Sequence, residues 1–495
     1  MFSSKNMEYN DMFIFDMIKH ENLPTIRIKK VVLNNFKSVE HGEIVFNCGR
    51  SFIPYGTESD ILGVYGQNGS GKTALIEALS ILRQLMVGSS VGNEYADCVS
   101  INAEYAELKF WFDLQYLDGE VREVLYSFYM KRVKLSEDEI ALRMRNYPDD
   151  AVLPDSLWKV CVFNEQLTMS WTDEDGTYKK SQKIIDTSTE NAPFGPATKR
   201  KYFFSGKRDK LALEISKSKA YDNSQSFIFR EETLKIFSST EIYSVFYQVI
   251  LELSYFSRLY FYVIDTKSTG FIRLNFAIPV YTRTRPFFFK ARQTDTLSNS
   301  EYDEANFYIS GISAVLNQLV PGLTISLKKL GTETIGNGEE GNIVSLVAYR
   351  DGLELPLRDE SDGVRKIISV LSLIAAAFAS KSCTVAIDEF DAGIYEYLLG
   401  EILEIFEEEG KGQFIFTSHN LRPLEVIDKK HLYFTTTNPR NRFIRLKGIG
   451  ACNNLRDVYF REILMNEQAE RIYNKTKRHR IIAALVKAGS EEAML

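Results

Sequence analysis

An α/β fold is predicted by three segments of this 495-residue chain, each an apolar run that ends in chemistry-bearing residues. Residues 61–65 (ILGVY) lead into 66–73 (GQNGSGKT), residues 384–387 (TVAI) into Asp388 and Glu389, and residues 413–418 (QFIFTS) into His419. Short apolar runs of this kind read as buried strands, and open α/β sheets bind ligands outside the carboxyl ends of their strands. Three such ends predict one shared site.

The first segment satisfies the G-x-x-x-x-G-K-[ST] pattern in its required setting, because Leu75, Ala78, Leu79 and Leu82 follow on one face of a helix. Gly66, Gln67, Asn68, Gly69, Ser70 and Gly71 form a loop that can wrap a phosphate closely. Its N–H groups, with the helix N-terminus, present positive partial charge to the anion. In that pattern Lys72 reaches the β- and γ-phosphates of a nucleotide and Thr73 ligates Mg²⁺, so ATP and Mg²⁺ are the expected ligands. At the second strand end, Asp388 is expected in the Mg²⁺ shell and Glu389 as the general base that polarises a water. A lone His after an apolar strand is more often a capping or core residue. As the third strand-end residue in order, His419 is expected to sense the γ-phosphate.

Residues 66–73, 360–366 (ESDGVRK), 386–395 (AIDEFDAGIY) and 418–420 (SHN) together resemble the ABC-type ATPase heads of the SMC, RecF and OLD group. Residues 33–38 (LNNFKS) resemble the strand and turn that precede the phosphate loop in that group. More narrowly, the chain is similar to the stand-alone bacterial AAA-15/AAA-21 ATPases associated with defence against phage. The likeness covers residues 25–86 and 340–440, approximately. It implies a P-loop ABC-type head with an antiparallel β subdomain and a helical insertion. It also implies a homodimer with ATP sandwiched between two heads, in which Ser361 and Gly363 of one protomer meet the γ-phosphate held by the other. A helix starting there, with Ile367, Val370, Leu371 and Ile374 on its apolar face, could aim its N-terminal N–H groups at an anion. Ser361 acting as a plain helix N-cap is the other reading. The signature lacks the second glycine of transporter-type members, which argues against a transporter subunit. Residues 390–395 (FDAGIY) stand where many relatives have His and Pro, with Asp391 as the D-loop candidate. Gln115 and Gln166 are both candidates for the glutamine that senses Mg²⁺.

Four regions are expected. Residues 22–180 form an N-terminal ATPase lobe whose alternating segments (Ile26, Ile28, Ile44, Phe46, then Leu108, Phe110, Phe112, Leu114) build antiparallel strands. Residues 181–330 form a helical and mixed insertion, a lid or short arm, because Ile242, Val245, Phe246, Val249 and Ile250 have helical spacing without sustained heptads. Residues 331–450 form the C-terminal lobe, entered through a hairpin-like 323–358 with a surface loop at 331–341. Residues 451–495, helical over 458–486, form a tail that is a candidate partner-docking element.

Composition agrees with an intracellular enzyme of more than one core, at 44% hydrophobic and 25% charged residues. Cys48, Cys98, Cys161, Cys383 and Cys452 lack paired spacing, which predicts reduced thiols rather than a disulfide frame or a zinc site. No long apolar run is present and the first 21 residues mix charges, so a cytoplasmic chain without a membrane segment is expected. A net charge of −6 argues against a constitutive DNA binder. Local basic segments leave two readings open, a grip on nucleic acid or solvated faces beside core aromatics. They are 199–204 with Lys207, Arg208 and Lys210; Arg283 and Arg285 before 286–290; and Lys475, Lys477, Arg478 and Arg480.

The resemblance implies a Mg²⁺-dependent ATPase that dimerises on ATP and controls an effector, a nuclease or toxin encoded nearby, in anti-phage defence. No D-x-D occurs after His419, which argues against a built-in Toprim nuclease. The alternatives are a DNA-binding repair or chromosome-maintenance clamp, and a scaffold or sensor that holds nucleotide with little turnover.

Overall fold

The computed structural model describes residues 23–46, 60–137, 139–140, 157–173, 175–240, 244–265, 277–281, 286–290, 294–335, 338–447, 454–465, 468–475 and 477–488. The N-terminal half runs β1 (Thr25–Phe36), β2 (Val39–Val45), β3 (Asp60–Tyr65), α1 (Lys72–Val87), β4 (Ala106–Gln115), β5 (Val121–Lys134), β6 (Trp158–Thr172) and β7 (Tyr178–Asp186). Helices α2 (Gly206–Asp222), α3 (Glu231–Ser238) and α4 (Val245–Leu259) follow, then β8 (Phe261–Ile264), β9 (Ala277–Tyr281), β10 (Pro286–Lys290) and β11 (Asp295–Leu297). Next come α5 (Asn299–Leu319), β12 (Leu323–Thr334), β13 (Glu340–Arg350), β14 (Leu353–Pro356), α6 (Asp362–Ala379), β15 (Thr384–Ile387) and α7 (Glu396–Glu409). The chain closes with β16 (Gln413–Thr417), α8 (Pro423–Val426), β17 (Leu432–Thr435), β18 (Phe443–Ile444), α9 (Leu455–Met465) and α10 (Arg478–Ala488).

The central sheet has the order β18-β17-β3-β16-β15-β8, parallel throughout except for the β17–β18 pair. Residues of β3, β15 and β16 are buried without interruption, as the continuous apolar runs require of strands covered on both faces. Alternation sends successive side chains into two different cores. Leu62, Val64, Ala386 and Ile415 join the core that holds α1, α4 and the antiparallel strands. Ile61, Tyr65, Val385, Ile387, Phe414 and Phe416 join the core that holds α5, α6 and α7. Ile387 is level with both Phe416 and Ile264, and Thr417 with Val64, so these strands end along one edge.

A second, antiparallel sheet has the order β2-β1-β4-β5-β6-β7. In β4, Ala106, Leu108, Phe110, Phe112 and Leu114 point inward in strict alternation, as their spacing predicts. Strands β11, β13, β12 and β14 make a third sheet beside α5.

Several expectations change. Strand β8 lies inside the 181–330 span yet pairs with β15, so that span supplies part of the central sheet. Helices α2, α3 and α4 pack Leu213, Phe237 and Phe246 into the first core instead of projecting from it. Strand β12 continues to Thr334 and β13 begins at Glu340, which shortens the loop expected at 331–341. The tail divides into α9 and α10 around a non-helical stretch, because Ile472 is buried in the second core and the Arg471 carbonyl accepts the Thr437 N–H at 2.7 Å. Cys98, Cys161 and Cys383 are buried, whereas Cys48, Cys452, Ile242, Arg283 and Arg285 lie outside the described residues. Among the described residues no helix is long and apolar enough to cross a membrane.

Candidate nucleotide-binding site

The loop 66–73 leaves the end of β3 and closes on helix α1. Gly66, Gly69 and Gly71 have φ of 153°, 76° and 99°, a region open to glycine. A Cβ on Gly66 would stand 1.7 Å from Thr435 Oγ1, so the end of β17 presses on the loop backbone. The Ser70 hydroxyl lies 2.5 Å from both the Gln67 carbonyl and Thr435 Oγ1, which fixes the loop's curl. Lys72, 6% exposed, donates from Nζ to the carbonyls of Gly66 (2.7 Å) and Gln67 (3.2 Å). Burial lowers its pKa, against the opposing pull of Asp388, Glu389 and Asp391. Thr73 follows in the first turn of α1, half-buried, while Asn68 and Gly69 are exposed.

Across the sheet edge, Asp388 is 2% exposed. Its Oδ1 accepts the Thr417 hydroxyl at 2.5 Å, and its Oδ2 is buried without a hydrogen-bond partner among the described residues. A buried, unsatisfied carboxylate oxygen is costly, and a bound cation would satisfy it. Glu389 is exposed and left-handed, with φ 47°. Its N–H donates to Thr417 Oγ1 at 2.9 Å, and its carbonyl accepts from Lys366 Nζ at 3.0 Å. Burial also lowers the pKa of Lys366, opposed by Asp391, Glu389 and Asp388.

His419 is exposed and its backbone N–H donates to both oxygens of Asp391, at 3.2 and 3.3 Å. Asn420 N–H adds a third bond to Asp391 at 3.2 Å, so this carboxylate caps the loop that presents His419. Ser361 is the N-cap of α6, its Oγ accepting the Val364 N–H at 3.3 Å. Gly363 meets Gly393 in the same chain, where a Cβ on Gly363 would lie 3.8 Å from the Gly393 carbonyl oxygen. Among the described residues, neither Ser361 nor Gly363 bonds to residues 66–73.

Residues 66–73, Asp388, Glu389 and His419 thus follow the ends of three adjacent strands, β3, β15 and β16, while Ser361 and Gly363 adjoin the turn after β15. Gln115 and Gln166 lie in the antiparallel sheet, paired with Thr25 and Val121 and with Ser127 and Asp186 respectively. The residue that follows β8, next to Asp388, is instead Asp265, fully buried and accepting a hydrogen bond from the Tyr95 hydroxyl. Sequence reasoning also missed Thr417, whose signal is a hydroxyl closing an apolar strand, and Lys366. It missed Asn474, whose backbone N–H donates to Gln67 Oε1 at 3.0 Å, because a backbone donor leaves no mark in the sequence. Of the basic segments, Lys199 rests on the rings of Phe246 (4.6 Å) and Trp171 (5.3 Å), and Phe203 is fully buried. These aromatics belong to the core.

Residues 30–263 match the family described as "AAA domain", and residues 207–425 match the family described as "AAA domain, putative AbiEii toxin, Type IV TA system". Between them the two matches take in all three strand ends. Over these two overlapping stretches the chain is similar to AAA-domain proteins. No curated protein matches the chain. Solved structures similar to it include the SMC head domain from Thermotoga maritima, at 13% identity and TM-score 0.35, covering 85% of this chain and 100% of that one. Another is the Smc head domain with an extended coiled coil bound to the C-terminal domain of ScpA from Pyrococcus furiosus, at 14% identity and TM-score 0.38, covering 85% and 96%. A third is the recombination mediator protein RecF with ATP, at 12% identity and TM-score 0.30, covering 81% and 94%.

Proposed function

We propose that this protein is a Mg²⁺-dependent ATP hydrolase. The observation that carries this reading is the buried Oδ2 of Asp388, without a hydrogen-bond partner among the described residues, at the same sheet edge as a glycine loop whose lysine is held on two backbone carbonyls. The phosphates would lie against the N–H groups of residues 66–73. Lys72 would exchange the carbonyls of Gly66 and Gln67 for the β- and γ-phosphate oxygens, and charged acceptors make the stronger bonds. Thr73 and Asp388 would hold Mg²⁺, which supplies charge neutralisation on the phosphate oxygens when bound. Glu389 would take a proton from a water as the water oxygen bonds to the γ-phosphorus. The bond from that phosphorus to the β,γ-bridging oxygen then breaks, and ADP and phosphate leave. His419, on the loop capped by Asp391, would read the γ-phosphate.

Ser361 and Gly363 begin an 18-residue helix, and a helix N-terminus suits an anion. In a homodimer closed on two nucleotides they would complete the second copy's site. Closure would drive a cytoplasmic effector of the nuclease or toxin kind in anti-phage defence. That part rests on the motif resemblance and on the toxin description attached to the family matched by residues 207–425. The clamp alternative draws on the exposed Lys477, Arg478 and Arg480 at the start of α10. Duplex DNA should then raise turnover, and binding should weaken steeply with salt. The hydrolase reading is tested by Glu389→Gln, which should keep ATP bound and stop its turnover.

A further inference from the structure

We propose that Lys366 is a positioning residue that ties the start of α6 to the turn carrying Glu389, so that the position of the Ser361–Gly363 segment sets the aim of the Glu389 carboxylate. The proposal rests on the hydrolase reading above.

Glu389 is held on both sides of its Cα. Its N–H is fixed to Thr417 at the end of β16, and the next N–H, of Phe390, donates to the Thr417 carbonyl at 3.0 Å. Its own carbonyl accepts from Ala392 N–H at 3.0 Å within the turn and from Lys366 Nζ at 3.0 Å across to α6. The residue between these anchors has φ 47°, a region that side-chain-bearing residues rarely occupy unless the surroundings impose it. Of the anchors, the Lys366 ammonium is the one that comes from the signature helix.

A second contact couples the same two segments. Gly393 has φ 81°, and a Cβ on it would lie 3.7 Å from the Gly363 Cα, so the turn and the helix start meet through backbone with no side chain between them. A displacement of α6 cannot be absorbed by a flexible side chain at that contact, and Lys366 carries it to the Glu389 carbonyl. The ammonium also stands among the carboxylates of Asp388, Glu389 and Asp391, whose mutual repulsion it offsets. If an anion engages Ser361 and Gly363, the start of α6 and the turn of Glu389 should respond as one body, and the coupling is reciprocal for binding.

The test uses the full chain with ATP and Mg²⁺, measuring ATP affinity and single-turnover hydrolysis separately. Lys366→Met and Lys366→Gln remove the cation and should leave ATP affinity within about threefold while slowing hydrolysis by about 100-fold, the scale of a misplaced catalytic group. Lys366→Arg keeps a donor for the Glu389 carbonyl and should recover most of the rate. Lys366→Met added to Glu389→Gln should cost nothing further, because both act through one carboxylate. The proposal is overturned if Lys366→Met and Lys366→Gln hydrolyse ATP like the native chain, if Arg fails to rescue, or if the double variant is slower than Glu389→Gln alone. A native chain no faster than Glu389→Gln would instead overturn the hydrolase reading.

Discussion

The Thr417 hydroxyl donates to Asp388 Oδ1 at 2.5 Å while accepting the N–H of Glu389 at 2.9 Å, so one side chain at the end of β16 orients both acids at the end of β15. Thr417 is 1% exposed and water cannot replace it. Thr417→Val keeps the shape and removes both bonds. It should cost about 1–3 kcal/mol of stability, the range for stranding a buried polar group. The Mg²⁺ dependence of ATP affinity should weaken with it. Thr417→Ser should behave like the native chain in both thermal melts and Mg²⁺ titrations of ATP binding.

Gly66→Ala tests the loop itself. Its Cβ would collide with Thr435 Oγ1 at 1.7 Å, and φ 153° is unfavourable for alanine. The loop must shift, moving the N–H groups proposed to face phosphate. ATP affinity should fall at least about tenfold, or about 1.4 kcal/mol, by equilibrium titration. Gly69→Ala has open space around its Cβ, and only its φ of 76° opposes the change, so its loss should be smaller.

Glu252 on α4 provides a pH signature independent of nucleotide. Burial pushes its carboxyl up to about 7, against the lowering effects of the Tyr116 hydroxyl, Arg122 and the Gln248 amide. The folded chain therefore keeps a proton that the unfolded chain releases above its ordinary value of 4.5. Stability contributed by this group is full below 4.5 and declines as pH rises towards 7. Glu252→Gln should remove that decline and raise stability at pH 8 by at most about 3 kcal/mol, read from urea melts across pH.

How much was legible follows from which contacts leave a local trace. The strands at 61–65, 384–387 and 413–417 were readable because a strand buried on both faces is apolar at every position, and their terminal residues then fell at one edge. Helix α6 was readable from Ser361 and the spacing of Ile367, Val370, Leu371 and Ile374. The place of β8 was not, because Phe261 pairs with the distant Thr384 and nothing in four apolar residues names that partner. Lys366 and Asn474 escaped notice because their bonds involve backbone groups, which every residue carries. The interruption of the tail escaped for a related reason, since the burial of Ile472 against the second core overrides a helical pattern.

Glu389, aimed from the end of β15, is proposed to remove the proton from the water that attacks ATP. Single-turnover hydrolysis at saturating ATP and Mg²⁺, comparing the native chain with Glu389→Gln at matched ATP occupancy, tests it most directly. Loss of a general base predicts a fall of about 100-fold or more with ATP affinity preserved. Equal rates in the two proteins would contradict the account and leave a chain that holds its nucleotide without consuming it.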